Sequence, residues 1–334
     1  MHYNIVALET MFSGLPNLTV PAPHTCSVVS FERSAPIDVG PRLAAADADI
    51  AIITTVAVTA AALDVAPTPR LKLIVAVAAG TDTIDLAAAA ARGVRVLNCP
   101  GCNVDAVAEH ALALFLACRR RLLPSSRALY SGAWPQRGTL IRTAMTGQTH
   151  PPRACAAETV ALIGYGAVGK RVATLFRALG MRVIVAARKG ALPSDGRVPF
   201  QEALQTASAV VLCCPRTPET LGLLGEAEFA TMQPDCVLVN VARGGVVDEQ
   251  ALLVALRSGI IGGAGVDVYG QEPAGPDSSP LLAADVAADL SINLMATPHT
   301  AWVSAQTTDN NARVLQENID GFILGEMLAE RIRA

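Results

Sequence analysis

The chain reads as an α/β protein built from two doubly wound parallel-sheet domains, one of them a Rossmann dinucleotide-binding domain. Three observations predict this. Short apolar runs alternate with helix-like stretches in two successive series. The length, 334 residues, exceeds one ordinary core and so predicts two domains. Finally, Val160-Ala161-Leu162-Ile163 runs directly into Gly164-Tyr165-Gly166-Ala167-Val168-Gly169. That is a G-x-G-x-x-G spacing between a buried strand and a helix.

The first series predicts strands at Ile5–Leu8, Val28–Phe31, Ile50–Thr54, Leu73–Val77 and Val94–Leu97, with an alanine-rich helix over Ile84–Arg92. Val104–Leu123 reads as one long apolar helix between the series. Pro124–Glu158 carries Gly132, Pro135, Gly138, Gly147, Pro151 and Pro152, and reads as an irregular arm, a candidate dimer contact. The second series predicts strands at Val160–Ile163, Val183–Ala187, Val210–Cys214, Val237–Val241, Ala264–Val268 and Met295–Thr297. Its helices are Lys170–Leu179, Phe200–Thr206 and Asp248–Ser258, the last stopped by Gly259. Ser304–Ile332 has apolar residues at helical spacing and is expected to fold back onto the first domain.

Composition narrows the function. Net charge is -3, with no basic stripe, which argues against nucleic acid. The start of the chain has no basic, apolar leader, and Val104–Cys118 is too short and too polar to span a bilayer. The expectation is a soluble, cytoplasmic protein without a membrane segment. Eight cysteines in a chain this long do not suggest a disulfide framework. Cys99-Pro100-Gly101-Cys102 has redox or zinc spacing, but no second pair or histidine pair completes a site, so no metal is expected.

Ligands of open parallel sheets bind beyond the carboxyl ends of the strands. There the glycine loop offers helix N-terminal amides to a pyrophosphate. The fourth strand of the second series ends in Arg243-Gly244-Gly245, the fifth in Asp267 and then Glu272, and the sixth in Thr297-Pro298-His299. An imidazolium can donate a proton, a carboxylate can hold it charged, and a guanidinium can bind a carboxylate and polarise a carbonyl. That set suits hydride transfer from a nicotinamide to a 2-keto acid. His299 is then the acid/base, Glu272 its partner and Arg243 the substrate anchor. His110 is a rival base, read as packed within an apolar helix. The carboxylate that usually meets the adenosine ribose is replaced by Ala187, with Arg188 and Lys189 following. NADP(H) is therefore favoured, with NAD(H) possible.

These residues resemble the D-isomer-specific 2-hydroxyacid dehydrogenase family. The resemblance rests on Asn98-x-Pro100-Gly101-x-Asn103-x-x-Ala106-Val107-Ala108-Glu109-His110 and on Val241-Ala242-Arg243-Gly244-Gly245-Val246-Val247-Asp248-Glu249. It rests also on Gly265-Val266-Asp267-Val268-Tyr269 with Glu272-Pro273, and on Thr297-Pro298-His299-x-x-Trp302. It implies a flavodoxin-like substrate domain made from both chain ends, residues 1–103 and 302–334, around a dinucleotide domain of residues 104–301. It also implies a homodimer. Ala78-Ala79-Gly80 matches the substrate-carboxylate loop, and Asp267 a residue near the nicotinamide carboxamide. Cys214, Pro215 and Thr220 match positions lining the adenosine and ribose, and Val241 and Ala242 belong to the same cofactor-lining set. Trp302 resembles the glyoxylate and hydroxypyruvate reductase branch and joins the substrate residues. The alternative function is a dinucleotide-sensing module similar to the transcriptional corepressors of this fold.

Overall fold

The computed structural model describes residues 1–12, 14–65, 70–146, 150–192 and 194–325. The chain divides into two compact units, Met1–Asn103 with Val303–Ala334, and Val104–Trp302.

In the first unit five parallel strands, β1 (His2–Ala7), β2 (Thr25–Ser30), β3 (Ile50–Ile53), β4 (Leu73–Ala76) and β5 (Arg95–Asn98), form a sheet of order β2-β1-β3-β4-β5. β3 and β4 are buried along their whole length, as continuous apolar runs in a sheet covered on both faces should be. One face packs against α1 (Pro36–Ala45), α2 (Ala60–Val65) and α3 (Leu86–Ala91) through Val39, Leu43, Leu63 and Ala89. The other packs against the C-terminal helix (Ala305–Ile323) through Leu315 and Ile319. Ser304 starts that helix by accepting the Thr307 N–H at 3.0 Å. The expected extension of this helix beyond residue 325 lies outside the described residues.

The second unit holds β6 (Thr159–Ile163), β7 (Arg182–Val185), β8 (Ala209–Leu212), β9 (Val237–Asn240), β10 (Gly263–Val266) and β11 (Leu294–Ala296) in the order β11-β10-β9-β8-β6-β7, all parallel. Its helices are α4 (Val104–Arg119), α5 (Leu122–Tyr130), α6 (Ala133–Arg137), α7 (Ala167–Ala178), α8 (Phe200–Thr206), α9 (Glu226–Phe229), α10 (Glu249–Arg257) and α11 (Ala284–Ala288). α4 and α7 cover one face, where Phe115 and Phe176 meet with ring centroids 5.2 Å apart. α8 and α10 cover the other.

Two sequence readings need correction. The single long helix over Val104–Leu123 is broken after Arg119, because Arg121 takes a left-handed conformation (φ 48°) and a new helix begins at Leu122. The arm from Pro124 is not irregular throughout. Pro124 falls in the first turn of α5, where its missing N–H has no helical partner to lose, and Gly132 and Gly138 bracket α6 in left-handed conformations. The prolines and glycines there punctuate helices. Residues 147–149 of the arm lie outside the described residues.

At the amino ends of the second sheet, Arg119 and Glu158 form a buried ion pair at 2.6 Å. Arg119 also donates to the carbonyls of Ser208 (2.7 Å) and Asp235 (2.8 Å). Burial pushes the Glu158 carboxyl up, and Arg119 opposes that. The buried thiols of Cys118 and Cys236 and the half-buried thiol of Cys213 are each pushed up to about 12 chiefly by burial, and so protonated at neutral pH.

Candidate functional site

The strand registers bring the chemistry together. Asn240, Val266 and Ala296 are lateral neighbours at the carboxyl ends of β9, β10 and β11. The loops leaving these three residues carry Arg243, then Asp267 and Glu272, then His299. One carboxyl edge of one unit therefore bears all four.

Gly244 explains why the first two loops lie so close. A Cβ at this position would come within 1.6 Å of the Tyr269 carbonyl oxygen, so only glycine lets the Arg243 loop rest on the segment leading to Glu272. Asn240 shapes the same turn by accepting the Ala242 N–H (3.1 Å) and donating to the Arg243 carbonyl (3.2 Å). Arg243, half-buried, donates from Nη1 to the Ala242 carbonyl at 2.8 Å.

His299 Nδ1 lies 2.5 Å from Glu272 Oε2, while Glu272 Oε1 accepts the Tyr269 N–H at 2.9 Å. The carboxylate is thereby fixed at both oxygens. The hydrogen bond to Glu272 raises the His299 pKa above its ordinary value. Burial works the other way, the charges of Glu272 and Asp267 add to the rise, and Arg243 opposes it. For Glu272, burial pushes the carboxyl up, but the bonds from His299 and Tyr269 and the charges of His299 and Arg243 outweigh it, and the net shift is down. Both shifts favour the charged forms, imidazolium beside carboxylate, with a guanidinium near enough for its charge to act on both.

Asp267 is 1% exposed. Its carboxylate accepts the N–H groups of Thr300 and Ala301 (2.9 Å each) and the Thr297 hydroxyl (2.6 Å), and its carbonyl accepts the His299 N–H at 2.8 Å. These bonds hold His299 at φ 54°, a left-handed conformation unusual for a side-chain-bearing residue. Tyr269 adds a hydroxyl bond to the Thr297 carbonyl at 3.0 Å. His110, read from sequence as packed, lies in this network, with Nε2 2.9 Å from Thr297 Oγ1. The sequence reading missed the roles of Asn240, Tyr269 and Thr297. The only local signal for Asn240 was a polar residue closing an apolar strand.

The glycine loop fits a dinucleotide. Gly164 lies against the end of β8, where a Cβ would meet Cys213 C and Cys214 N at 2.6 Å, and a Cβ on Gly169 would meet the Gly164 oxygen at 2.4 Å. Above Gly166 nothing lies within 4 Å. Gly166 caps α7 with no side-chain bond, and the first turn, which begins at Ala167 and Val168, carries no acidic residue. The amides at this helix start are set for an anion. Tyr165 and Val168 are half-buried against the α4 and α7 face.

At the end of β7, Ala187 is buried, donates its N–H to the Val198 carbonyl at 2.8 Å, and puts no carboxylate at the ribose position. Arg188 and Lys189 are exposed. Lys189 is paired with Glu228 at 2.8 Å, and the charge of Arg188 acts on Glu219. Cys214 is buried, as are Val241 and Ala242, and Pro215 is exposed. Thr220 turns its hydroxyl onto its own loop, donating to the Pro215 carbonyl and accepting the Thr217 N–H, both at 2.8 Å. Trp302 is half-buried against the α4 face.

In the first unit, the loop Ala78-Ala79-Gly80 leaves β4 half-exposed. Its carbonyls are tied back to β5. Cys99 N–H donates to Ala78 O (2.9 Å), and Asn98 Nδ2 donates to Ala79 O (2.6 Å). Among the described residues, the N–H groups of Ala79 and Gly80 donate to no acceptor. Cys99 and Cys102 are buried beside Val314, and no group of three metal-ligating side chains occurs among the described residues. Nor is any helix there long and apolar enough to cross a membrane.

Residues 112–301 match the model of the D-isomer specific 2-hydroxyacid dehydrogenase NAD-binding domain. The chain is 37% identical over 279 residues to a glycerate dehydrogenase of Methylorubrum extorquens, a match covering 84% of each. It is 35% identical to a D-3-phosphoglycerate dehydrogenase of Archaeoglobus fulgidus, over 75% of this chain but only 45% of that one, so it spans less than half the length of that relative. It is also similar to the solved structure of an NADPH-dependent glyoxylate/hydroxypyruvate reductase from Sinorhizobium meliloti in complex with citrate. That match has a TM-score of 0.77 and 25% identity and covers 99% of both chains.

Proposed function

The chain belongs to the D-isomer specific 2-hydroxyacid dehydrogenase family, and from that premise we propose that it reduces a small 2-keto acid, glyoxylate or hydroxypyruvate, with NADPH. The observation that carries the reading is the His299–Glu272 contact at 2.5 Å on the edge that also bears Arg243. When bound, a reduced nicotinamide would supply the hydride for the keto carbon. His299, held as imidazolium by Glu272, gives a proton from Nε2 to the keto oxygen, and the product is the 2-hydroxy acid. Arg243 binds the substrate's negative charge and polarises its carbonyl. Ala78, Ala79 and Gly80 bind the carboxylate through backbone N–H groups, a role supported by the two amides of this loop that have no other acceptor. Trp302 joins the substrate residues through its resemblance to the glyoxylate and hydroxypyruvate reductase branch.

Gly164, Gly166 and Gly169 with the start of α7 would hold the pyrophosphate, and Asp267 is the residue that the resemblance assigns to the nicotinamide carboxamide. The NADPH preference is supported by Ala187 at the ribose position with Arg188 beside it. The substrate reading is supported by a relative named glycerate dehydrogenase, since glycerate is the product of hydroxypyruvate reduction, and by the reductase of similar fold. A homodimer contact through the arm is supported by Tyr130 (89% exposed), Trp134 (54%) and Ile141 (60%). A reducing compartment, the cytoplasm, suits the protonated buried thiols.

The test is a spectrophotometric screen of short 2-keto acids with both reduced cofactors. Turnover of glyoxylate and hydroxypyruvate with NADPH above NADH is expected. Tight NADPH binding without turnover of any acid would overturn it in favour of a dinucleotide-sensing module.

A further inference from the structure

His110 lies on α4, away in sequence from every residue of the proposed acid/base pair, yet it closes the hydrogen-bond chain behind His299. The direction of that chain follows from counting protons. The Thr297 hydroxyl has one hydrogen, and Asp267 Oδ1 at 2.6 Å takes it. Thr297 Oγ1 must then accept from His110 Nε2 at 2.9 Å, so that nitrogen carries a proton. Asp267 Oδ1 itself lies 3.7 Å from the same nitrogen. Asp267 is buried, and its two oxygens bind the hydroxyl of Thr297 and the N–H groups of Thr300 and Ala301 on either side of His299.

We propose that His110 is a positioning residue for His299, acting through Thr297 and Asp267 to hold the left-handed turn that aims the imidazole at Glu272. The proposal rests on His299 being the acid of the reaction, as set out above. A side chain serving only to fill the α4 face would be replaceable by any residue of similar volume. One serving as donor to Thr297 requires an N–H at the Nε2 position. Glutamine can offer such an N–H there, whereas alanine cannot.

The experiment compares the wild type with His110→Gln, His110→Ala and Thr297→Val by two readouts. The first is the titration midpoint of His299 in the cofactor-free protein, followed by its imidazole Hε1 resonance. The groups facing His299 are Glu272, Asp267 and Arg243, and none of them is altered. The second is kcat and KM with the best substrate of the screen. In His110→Ala and Thr297→Val the midpoint should fall, as the Glu272 contact loosens, and kcat should drop up to about a hundredfold, the order expected for a misplacement near 1 Å. Cofactor Kd should change little. His110→Gln should recover most of both losses.

A wild-type midpoint and kcat in Thr297→Val would overturn the proposal, as would equal losses in His110→Gln and His110→Ala. Should His110→Ala fail to fold, Thr297→Val still decides, because it deletes the hydroxyl and keeps the volume. A wild type that reduces no keto acid would sink the enzymatic reading, whereas the resonance would still report whether His110 holds His299.

Discussion

Glu272 Oε2 stands 2.5 Å from His299 Nδ1, and Glu272 Oε1 is fixed by the Tyr269 N–H. The acid of the proposed reaction therefore has its proton set by a neighbour that is held at both oxygens. His299 is raised above its ordinary pKa, and reduction needs the imidazolium. The kcat/KM for keto-acid reduction should be flat at low pH and fall as pH rises through a midpoint above about 6.5. Oxidation of the hydroxy acid needs the neutral ring and should show the mirror-image limb. Glu272→Gln removes the charge that favours the imidazolium, so both midpoints should move down in pH. An unshifted profile in this variant would show that Glu272 does not set the titration.

Gly244→Ala should be among the most damaging single-methyl changes in the chain. The added carbon would lie 1.6 Å from the Tyr269 carbonyl oxygen, which cannot be accommodated without separating the β9 and β10 loops. We expect a loss of about 1–3 kcal/mol in unfolding free energy and a fall in kcat larger than that loss can explain. Thermal melts alongside steady-state kinetics check it. Retained kcat would mean that the two loops need not touch.

Asn98→Ala tests the carboxylate loop. Asn98 Nδ2 holds the Ala79 carbonyl at 2.6 Å and so turns the following amide outward. Losing that bond should raise KM for the keto acid by up to about tenfold, the order of one hydrogen bond, with kcat and NADPH binding nearly unchanged. A fall in kcat at constant KM would assign the residue a different role.

Arg119→Ala concerns stability alone. The variant strands Glu158 in the interior without its cation and frees two carbonyls, those of Ser208 and Asp235, from their donor. Removal of one partner of a buried pair costs about 3–5 kcal/mol. Urea unfolding measures it. A loss below 1 kcal/mol, about the value of a surface pair, would show that water reaches Glu158.

Most of the frame was legible in the sequence because strand and helix periods are local. The eleven strands of the described residues fall where apolar runs predict them, as with Ile50–Ile53 and Val237–Asn240. Arg243, Glu272 and His299 were legible because parallel topology places successive strand ends on one edge. The His110 contact was not, since an apolar helix carrying one histidine looks the same whether the ring is packed or bonded. The Lys189–Glu228 pair joins residues 39 apart and depends on the path of the loop after β7. The helical arm was misread because proline and glycine mark helix ends as readily as loops, and only the φ values of Arg121, Gly132 and Gly138 tell which.

The continuous stretch Val104–Trp302 holds the glycine cradle, Arg243, Glu272, Asp267 and His299, while the loop proposed to bind the carboxylate belongs to the discontinuous unit made from the chain ends. On the proposed reading, redox capacity and the backbone grip on the carboxylate are inherited on separable parts. Natural variation, or a laboratory chimaera, can then redraft the loop at Ala78–Gly80 and alter how the acid's carboxylate is gripped, while Arg243, Trp302 and the proton and hydride apparatus pass on together.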